Sequence, residues 1–112
     1  MNWKLLTALL IFLVLVLSPI FFHLKSKSNE KEIAIQKCIE ECKNAMIRGV
    51  DLSNGPCLLE SIAGLNDWVC DVAHSPRQPV DNLPENQCSS FREGRAKHFV
   101  EVDTACNLIR VY

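Results

Sequence analysis

The feature that most constrains this chain is the apolar run Leu5–Leu24, LLTALLIFLVLVLSPIFFHL, which contains no Asp, Glu, Lys or Arg. At 1.5 Å rise per residue, about 20 helical residues span the roughly 30 Å hydrocarbon core of a bilayer. A core helix is disfavoured, because the rest of a small chain could not cover the run on all sides. We therefore predict a short tail at residues 1–4, a transmembrane helix at residues 5–24, a polar tether at residues 25–31 and a domain at residues 32–112.

The main alternative for the apolar run is a cleaved export signal, since the amino terminus and Lys4 give the run a basic start. However, the run is longer than the usual apolar region of such signals, about 7–15 residues, and no small-x-small cleavage site follows it. Residues 21–27, FFHLKSK, are bulky and basic instead. The sequence favours an uncleaved signal anchor that has the lipid bilayer as its partner.

Six cysteines follow the apolar run, and none precedes it or lies within it. An even number of cysteines in a small domain predicts structural disulfides, with many possible connectivities. Two of the cysteines lie four residues apart on one face of a predicted helix, so we expect them to pair with different downstream segments. The disulfide candidates are Cys38, Cys42, Cys57, Cys70, Cys88 and Cys106.

Two signals disagree about the direction of the predicted membrane helix. Lys25, Lys27 and Lys31 follow the run, against Lys4 before it, and this distribution favours a C-terminal domain inside the cell. The cysteines favour the opposite side, because disulfides persist in oxidising compartments. We give the cysteines more weight and predict a single-pass protein of the cell membrane with its domain on the extracytoplasmic side.

Two helices are predicted in the domain. Apolar residues between positions 35 and 46 recur every three or four positions, which indicates an amphipathic helix. Gly49 is suited to the position that ends this helix. Pro56 suits the first position of a second helix, whose apolar side would lie between positions 58 and 65.

Three strands complete the predicted fold. Residues 68–73, WVCDVA, are rich in strand-forming side chains, and residues 98–103 and 106–112 read as a hairpin. Between them, residues 74–92 contain three prolines and few apolar side chains, which is typical of a long functional or disordered loop. The fold class is therefore α+β, with about two helices and a three-stranded antiparallel sheet after the membrane helix.

Charge and motifs exclude several classes of function. The net charge of −1, from 12 basic and 13 acidic residues, provides no basic patch for nucleic acid. The chain has no Gly-x-Ser-x-Gly elbow, no Cys-x-x-Cys pair and no phosphate-binding loop. Its cysteine and histidine spacings also fit zinc sites poorly. We predict no cofactor, no metal and no catalytic residue, and we leave enzymatic activity open while leaning against it.

The leading hypothesis is a membrane-anchored module that binds a ligand or forms a structural part of the envelope, with another envelope protein as a candidate partner. The proposed functional surface is the proline-bearing loop, because sites often lie on loops held by a rigid scaffold. Its candidate residues are His74, Arg77, Asp81 and Glu85.

Two alternatives stay open. The first is a membrane-tethered hydrolase that uses His74 or His98. Ser75 is adjacent to His74 in sequence, which gives no reason for their side chains to meet, and Glu101 points away from His98 in an extended strand. The second alternative is a cytoplasmic-facing, cysteine-rich domain that binds a metal.

Overall fold

The longest element is helix α1, Trp3–Ile47, in a computed structural model that describes residues 2–112. The chain divides into two units, of which the first ends at Glu30 and the second begins at Lys31. In the first unit, α1 is exposed throughout, and its most apolar window has a mean hydropathy of 2.8 with no residue buried. Its length and composition are sufficient to cross a membrane, and its exposure excludes a core helix.

The helix passes through Pro19 without ending, and residues 25–31, predicted as a polar tether, are helical and exposed. Within the second unit, α1 buries one stripe of side chains spaced three and four residues apart, as its amphipathic pattern predicts. The helix ends where Gly49 adopts a φ of 77°. The amide of Gly49 donates to the carbonyl of Met46 and the amide of Val50 to that of Ala45, which is a Schellman cap. The fully buried residues of the stripe are Ala34, Cys38, Cys42 and Ala45.

The domain contains a four-stranded sheet in the order β1-β2-β3-β4. Its strands are β1, Cys57–Leu59; β2, Trp68–Val72; β3, His98–Val102; and β4, Leu108–Val111. The outer pairs are antiparallel, but β2 and β3 are parallel. The α+β class and the β3–β4 hairpin are confirmed, whereas the prediction of three antiparallel strands is wrong.

The predicted second helix is also wrong, because the segment after Pro56 forms β1 and then a tight turn between Ile62 and Leu65. Its apolar spacing fits a helix, but β1 pairs with β2 and Cys57 is held by a disulfide. Strand pairing and the covalent link override the local pattern.

The parallel pairing of β2 and β3 requires a long crossover, which residues 73–97 supply. This crossover contains two 3-10 turns, Pro79–Asn82 and Pro84–Asn86, and a short helix α2, Ser89–Arg92. The carboxylate of Glu60 accepts hydrogen bonds from the amides of the first two α2 residues, at 2.9 and 2.8 Å. The crossover is therefore ordered and fixed to the sheet.

The two faces of the sheet have different partners. One face packs on the buried stripe of α1 and forms the main core, with Trp68, Val72, Val100 and Val102 among its buried members. The opposite face is covered by the crossover and has a second, smaller cluster around Val69. The sheet thus has one apolar face, which packs on α1, and one face that also carries charged side chains.

Three disulfides connect these layers: Cys38–Cys70, Cys42–Cys106 and Cys57–Cys88. The first two join α1 to β2 and to the β3–β4 turn, so the two helix cysteines do pair with different downstream segments. The third joins β1 to the crossover. The prediction that all six cysteines are disulfide-bonded is confirmed.

Candidate functional site

The polar face of the sheet carries a cleft of about 200 Å³ between strands β2–β4 and the crossover. We call it the arginine cleft. Side chains from β2 and β3 form its floor, and aromatic side chains of α2 and β3 form part of its wall. Its charged residues are Asp71, Arg77, Arg92, Glu101 and Arg110.

The parallel register of β2 and β3 creates this cleft, because it places Asp71 directly beside Glu101. Side chains alternate between the two faces of a strand, so Asp71 and Glu101 point away from the core that faces α1. Neighbouring strands are about 4.8 Å apart, which brings the two carboxyl groups close together. The sheet therefore presents a pair of acidic groups on one face.

Arginines compensate one member of this pair. Glu101 is only 5% exposed, and its Oε2 accepts a hydrogen bond from Arg77 Nη1 at 3.1 Å. Arg110 Nη2 lies 3.7 Å from the same oxygen, and its guanidinium also lies 5.0 Å above the Phe99 ring. The two guanidinium groups offset the desolvation cost of burying a carboxylate at this position.

Asp71 is compensated only weakly, by a hydrogen bond from the backbone of Val72 and by the charge of Arg77. Its Oδ1 is buried without a hydrogen-bond partner among residues 2–112. Burial, followed by the negative charge of Glu101, raises the pKa of Asp71 to about 8. Asp71 is therefore mostly a neutral acid at pH 7 and can donate a hydrogen bond into the cleft.

A second polar site lies at the start of the crossover, where Asp81 binds His74. His74 Nδ1 and Asp81 Oδ1 are 2.9 Å apart, and the backbone amides of His74 and Gln78 donate to Asp81 Oδ2 at 3.0 and 2.8 Å. The Asp81 side chain is fully buried, and the His74 side chain is 17% exposed. This His74–Asp81 pair fixes both the loop and the imidazole ring.

Burial alone would raise the pKa of Asp81, but the hydrogen bonds from Gln78 and His74 lower it below its ordinary value. Asp81 is therefore an ionised, fully paired carboxylate. His74 also lines a groove of about 370 Å³ that lies outside the arginine cleft. The other residues that line this groove are Met46, Val50, Asp51, Leu52, Ser53 and Thr104.

The structure brings together three of the four residues proposed for the functional surface. Arg77 Nη2 donates to the backbone carbonyl of Asp81 at 3.3 Å, so Arg77 links the His74–Asp81 pair to Glu101 in the arginine cleft. Glu85 is exposed and has no hydrogen bond to the other three. The functional role of these residues stays a prediction.

His98, the other histidine named for a hydrolase, lies elsewhere. Its ring stacks on Trp68 at 4.6 Å, and its Nδ1 lies 3.2 Å from the backbone carbonyl of Tyr112. Its Nε2 is 3.6 Å from Asp67 Oδ2, and both side chains are well exposed. Of the two histidines, His74 is the one with a buried acidic partner.

Sequence reasoning misses the arginine cleft. Asp71 and Glu101 belong to separate polar groups along the chain, and no local motif singles out Arg92 or Arg110. The available signal is an acidic residue in the middle of each of two apolar strands, where a charge is unusual. The register that joins the two acids depends on parallel pairing, which the local pattern does not reveal.

One group in the described part of the chain has ligand atoms close enough for a metal: Cys57, Glu60 and Cys88. Its two cysteines form a disulfide with each other, so neither supplies the thiolate that zinc requires. This group does not support the metal-binding alternative.

Comparison of the chain with models of protein families, with curated proteins and with solved structures found no match.

Proposed function

We propose that this chain is a membrane-anchored protein whose extracytoplasmic domain binds an anionic group in the arginine cleft. The proposal has three parts: the anchor, the side of the membrane and the ligand chemistry.

The anchor is supported by the exposed apolar half of α1, which has the length and hydropathy of a membrane span. An uncleaved anchor is favoured over an export signal, because bulky and basic residues follow the span where a peptidase requires small ones. The extracytoplasmic side is favoured by the three disulfides, which the reducing cytosol would not preserve.

The charge balance of the cleft supports an anionic ligand, and this observation carries the proposal. Three arginines line the cleft against two acidic side chains, and burial raises the pKa of one of these acids, Asp71, to about 8, so that it carries little negative charge at pH 7. Positive charge therefore predominates in the cleft. Arg92 has no salt-bridge partner within residues 2–112, so its guanidinium is available to a ligand.

The geometry of the cleft defines the size and the contacts of the ligand group. Ligand sites for whole small molecules usually measure about 300–1,000 Å³, and this cleft is smaller. It fits a single carboxylate or phosphate group, which the guanidinium of Arg92 could bind through two parallel hydrogen bonds. The neutral carboxyl of Asp71 would donate a further hydrogen bond to the same group.

Titration of the full chain in detergent micelles tests this function. Inorganic phosphate, acetate and ethylammonium are added separately at constant ionic strength, and amide NMR shifts are followed. We expect the two anions, and not the cation, to shift the signals of β2, β3 and α2. Arg92→Gln should weaken anion binding by about tenfold, since charged hydrogen bonds are worth about 1.5–3 kcal/mol.

Lys97→Gln is the matched control, because Lys97 is exposed, lies outside the cleft and carries the same charge. It should bind the anions as the unchanged protein does. Equal weakening by both substitutions would mean that only net charge matters, and that result, or a preference for ethylammonium, would refute the proposed ligand class.

A further inference from the structure

The His74–Asp81 pair has the geometry of an oriented general base. Because the pKa of Asp81 is lowered, its ionised Oδ1 accepts a hydrogen bond from His74 Nδ1, and its Oδ2 accepts one from the backbone amide of His74. In a neutral imidazole whose proton is on Nδ1, the other ring nitrogen, Nε2, is the one that can accept a proton. A carboxylate that fixes an imidazole in this tautomer is the arrangement that prepares histidine to accept a proton.

The groove beside this pair can hold an acyl group. Its walls include the apolar side chains of Met46, Val50 and Leu52. The polar part of the lining consists of the Thr104 hydroxyl and of Asp51, to which Ser53 is hydrogen-bonded. The apolar part suits a short hydrocarbon chain, whereas the Thr104 hydroxyl can bind a water or the oxygen atoms of an ester. Asp51 also lines the groove, but hydrogen bonds from Ser53 lower the pKa of its carboxyl and make it a weak base, so the imidazole of His74 is the better candidate for the base.

We propose that His74, positioned by Asp81, is the general base for hydrolysis of a short-chain carboxylic ester in this groove. His74 Nε2 removes a proton from a water as the water oxygen attacks the ester carbonyl carbon. The tetrahedral intermediate then expels the alkoxide or phenolate, and the proton on His74 passes to the leaving group or to solvent. The products are a carboxylic acid and an alcohol, and no cofactor is consumed.

This activity is independent of anion binding in the arginine cleft, so the two proposals can fail separately. The test uses the full chain in detergent micelles, with its disulfides intact and p-nitrophenyl acetate as the probe. We expect the chain to accelerate release of p-nitrophenolate, and His74→Gln to reduce this protein-dependent rate about a hundredfold. Free imidazole should restore part of the rate to His74→Ala, because it supplies the missing base.

His98→Gln is the matched control, since His98 is a partly exposed histidine outside the groove. It should hydrolyse the probe at the unchanged rate. Equal rates in His74→Gln and the unchanged protein, or equal losses in both histidine variants, would overturn the proposal. The rate of the unchanged protein should also be slower in D₂O than in H₂O, and an equal rate would overturn general-base catalysis even if the variants failed to fold.

Asp81 acts as a positioning residue, and histidine ¹⁵N NMR provides its readout. In the unchanged protein, His74 should be protonated at Nδ1 and unprotonated at Nε2. Asp81→Asn should reduce this tautomer and lower the hydrolysis rate together. A lower rate with the Nδ1 tautomer unchanged would show that Asp81 does not act through His74.

Discussion

Asp71 introduces an electrostatic cost into an otherwise well-compensated site. Glu101 beside it has two arginine partners, whereas the buried Oδ1 of Asp71 has none in the described chain. The folded domain therefore holds the Asp71 proton more tightly than the unfolded chain does, because the unfolded carboxyl has an ordinary pKa of about 3.9. Such a weakly compensated group is more readily explained by ligand binding than by stability.

This cost predicts a pH dependence of stability. The folded state retains the Asp71 proton up to about pH 8. The contribution of this group to the free energy of unfolding is therefore fully present below about pH 4. It is lost as the pH rises to about 8, at up to about 1.4 kcal/mol per pH unit. Asp71→Asn should remove this loss, so its free energy of unfolding should exceed that of the unchanged protein increasingly between pH 5 and about pH 8.

Chemical denaturation at a series of pH values provides this measurement, with Glu93→Gln as the control because Glu93 is exposed and paired only with Arg95. The control should follow the unchanged protein. A constant difference between Asp71→Asn and the unchanged protein across this range would contradict the raised pKa of Asp71.

For single residues, the sequence indicates candidate functional side chains better than it indicates which residues they contact. His74 and Asp81 both stand out, because a polar stretch after a strand and a proline-rich loop are recognisable locally. Their contact depends on the path of the intervening loop. Asp71 and Glu101 lie 30 positions apart by residue number and require the parallel register to meet.

Among the elements, helix α1 and the hairpin are predictable because their signals are local. The amphipathic spacing and Gly49 determine where the helix packs and ends. The segment after Pro56 has an equally helical spacing but forms strand β1, since its pairing with β2 and the Cys57–Cys88 bond are long-range. A local sequence pattern likewise does not predict the parallel pairing of β2 and β3.

The three disulfides should have separable effects on stability and binding. Cys57–Cys88 fixes the crossover, and Cys88 lines the arginine cleft, whereas Cys42–Cys106 joins α1 to the β3–β4 turn outside the cleft. We expect removal of either bond to cost about 2–4 kcal/mol of unfolding free energy. Only the double substitution Cys57→Ala and Cys88→Ala should also weaken anion binding, because it releases the cleft wall.

Phosphate titration and denaturation of both double variants measure these effects, and the Cys42→Ala and Cys106→Ala pair serves as the control of matched chemistry. Equal anion affinity in the two double variants would contradict the assignment of the crossover as the wall of the binding site.

The whole molecule combines an apolar helix that is long enough to span a bilayer with a small domain held by three disulfides. A domain of this size has a modest core, so covalent links replace part of the stability that a larger core would provide. The same links require an oxidising environment. We therefore propose a topology in which the helix anchors the chain in the membrane and the domain lies outside the cytoplasm.

Thiol labelling of cells that express the full chain tests this claim most directly. A membrane-impermeant maleimide is applied to intact cells before and after treatment with a membrane-impermeant reductant, and the labelled cysteines are located by mass spectrometry. We predict no labelling before reduction, and labelling of all six cysteines in intact cells after it. Free thiols before reduction, or labelling that requires lysis of the cells, would contradict the account.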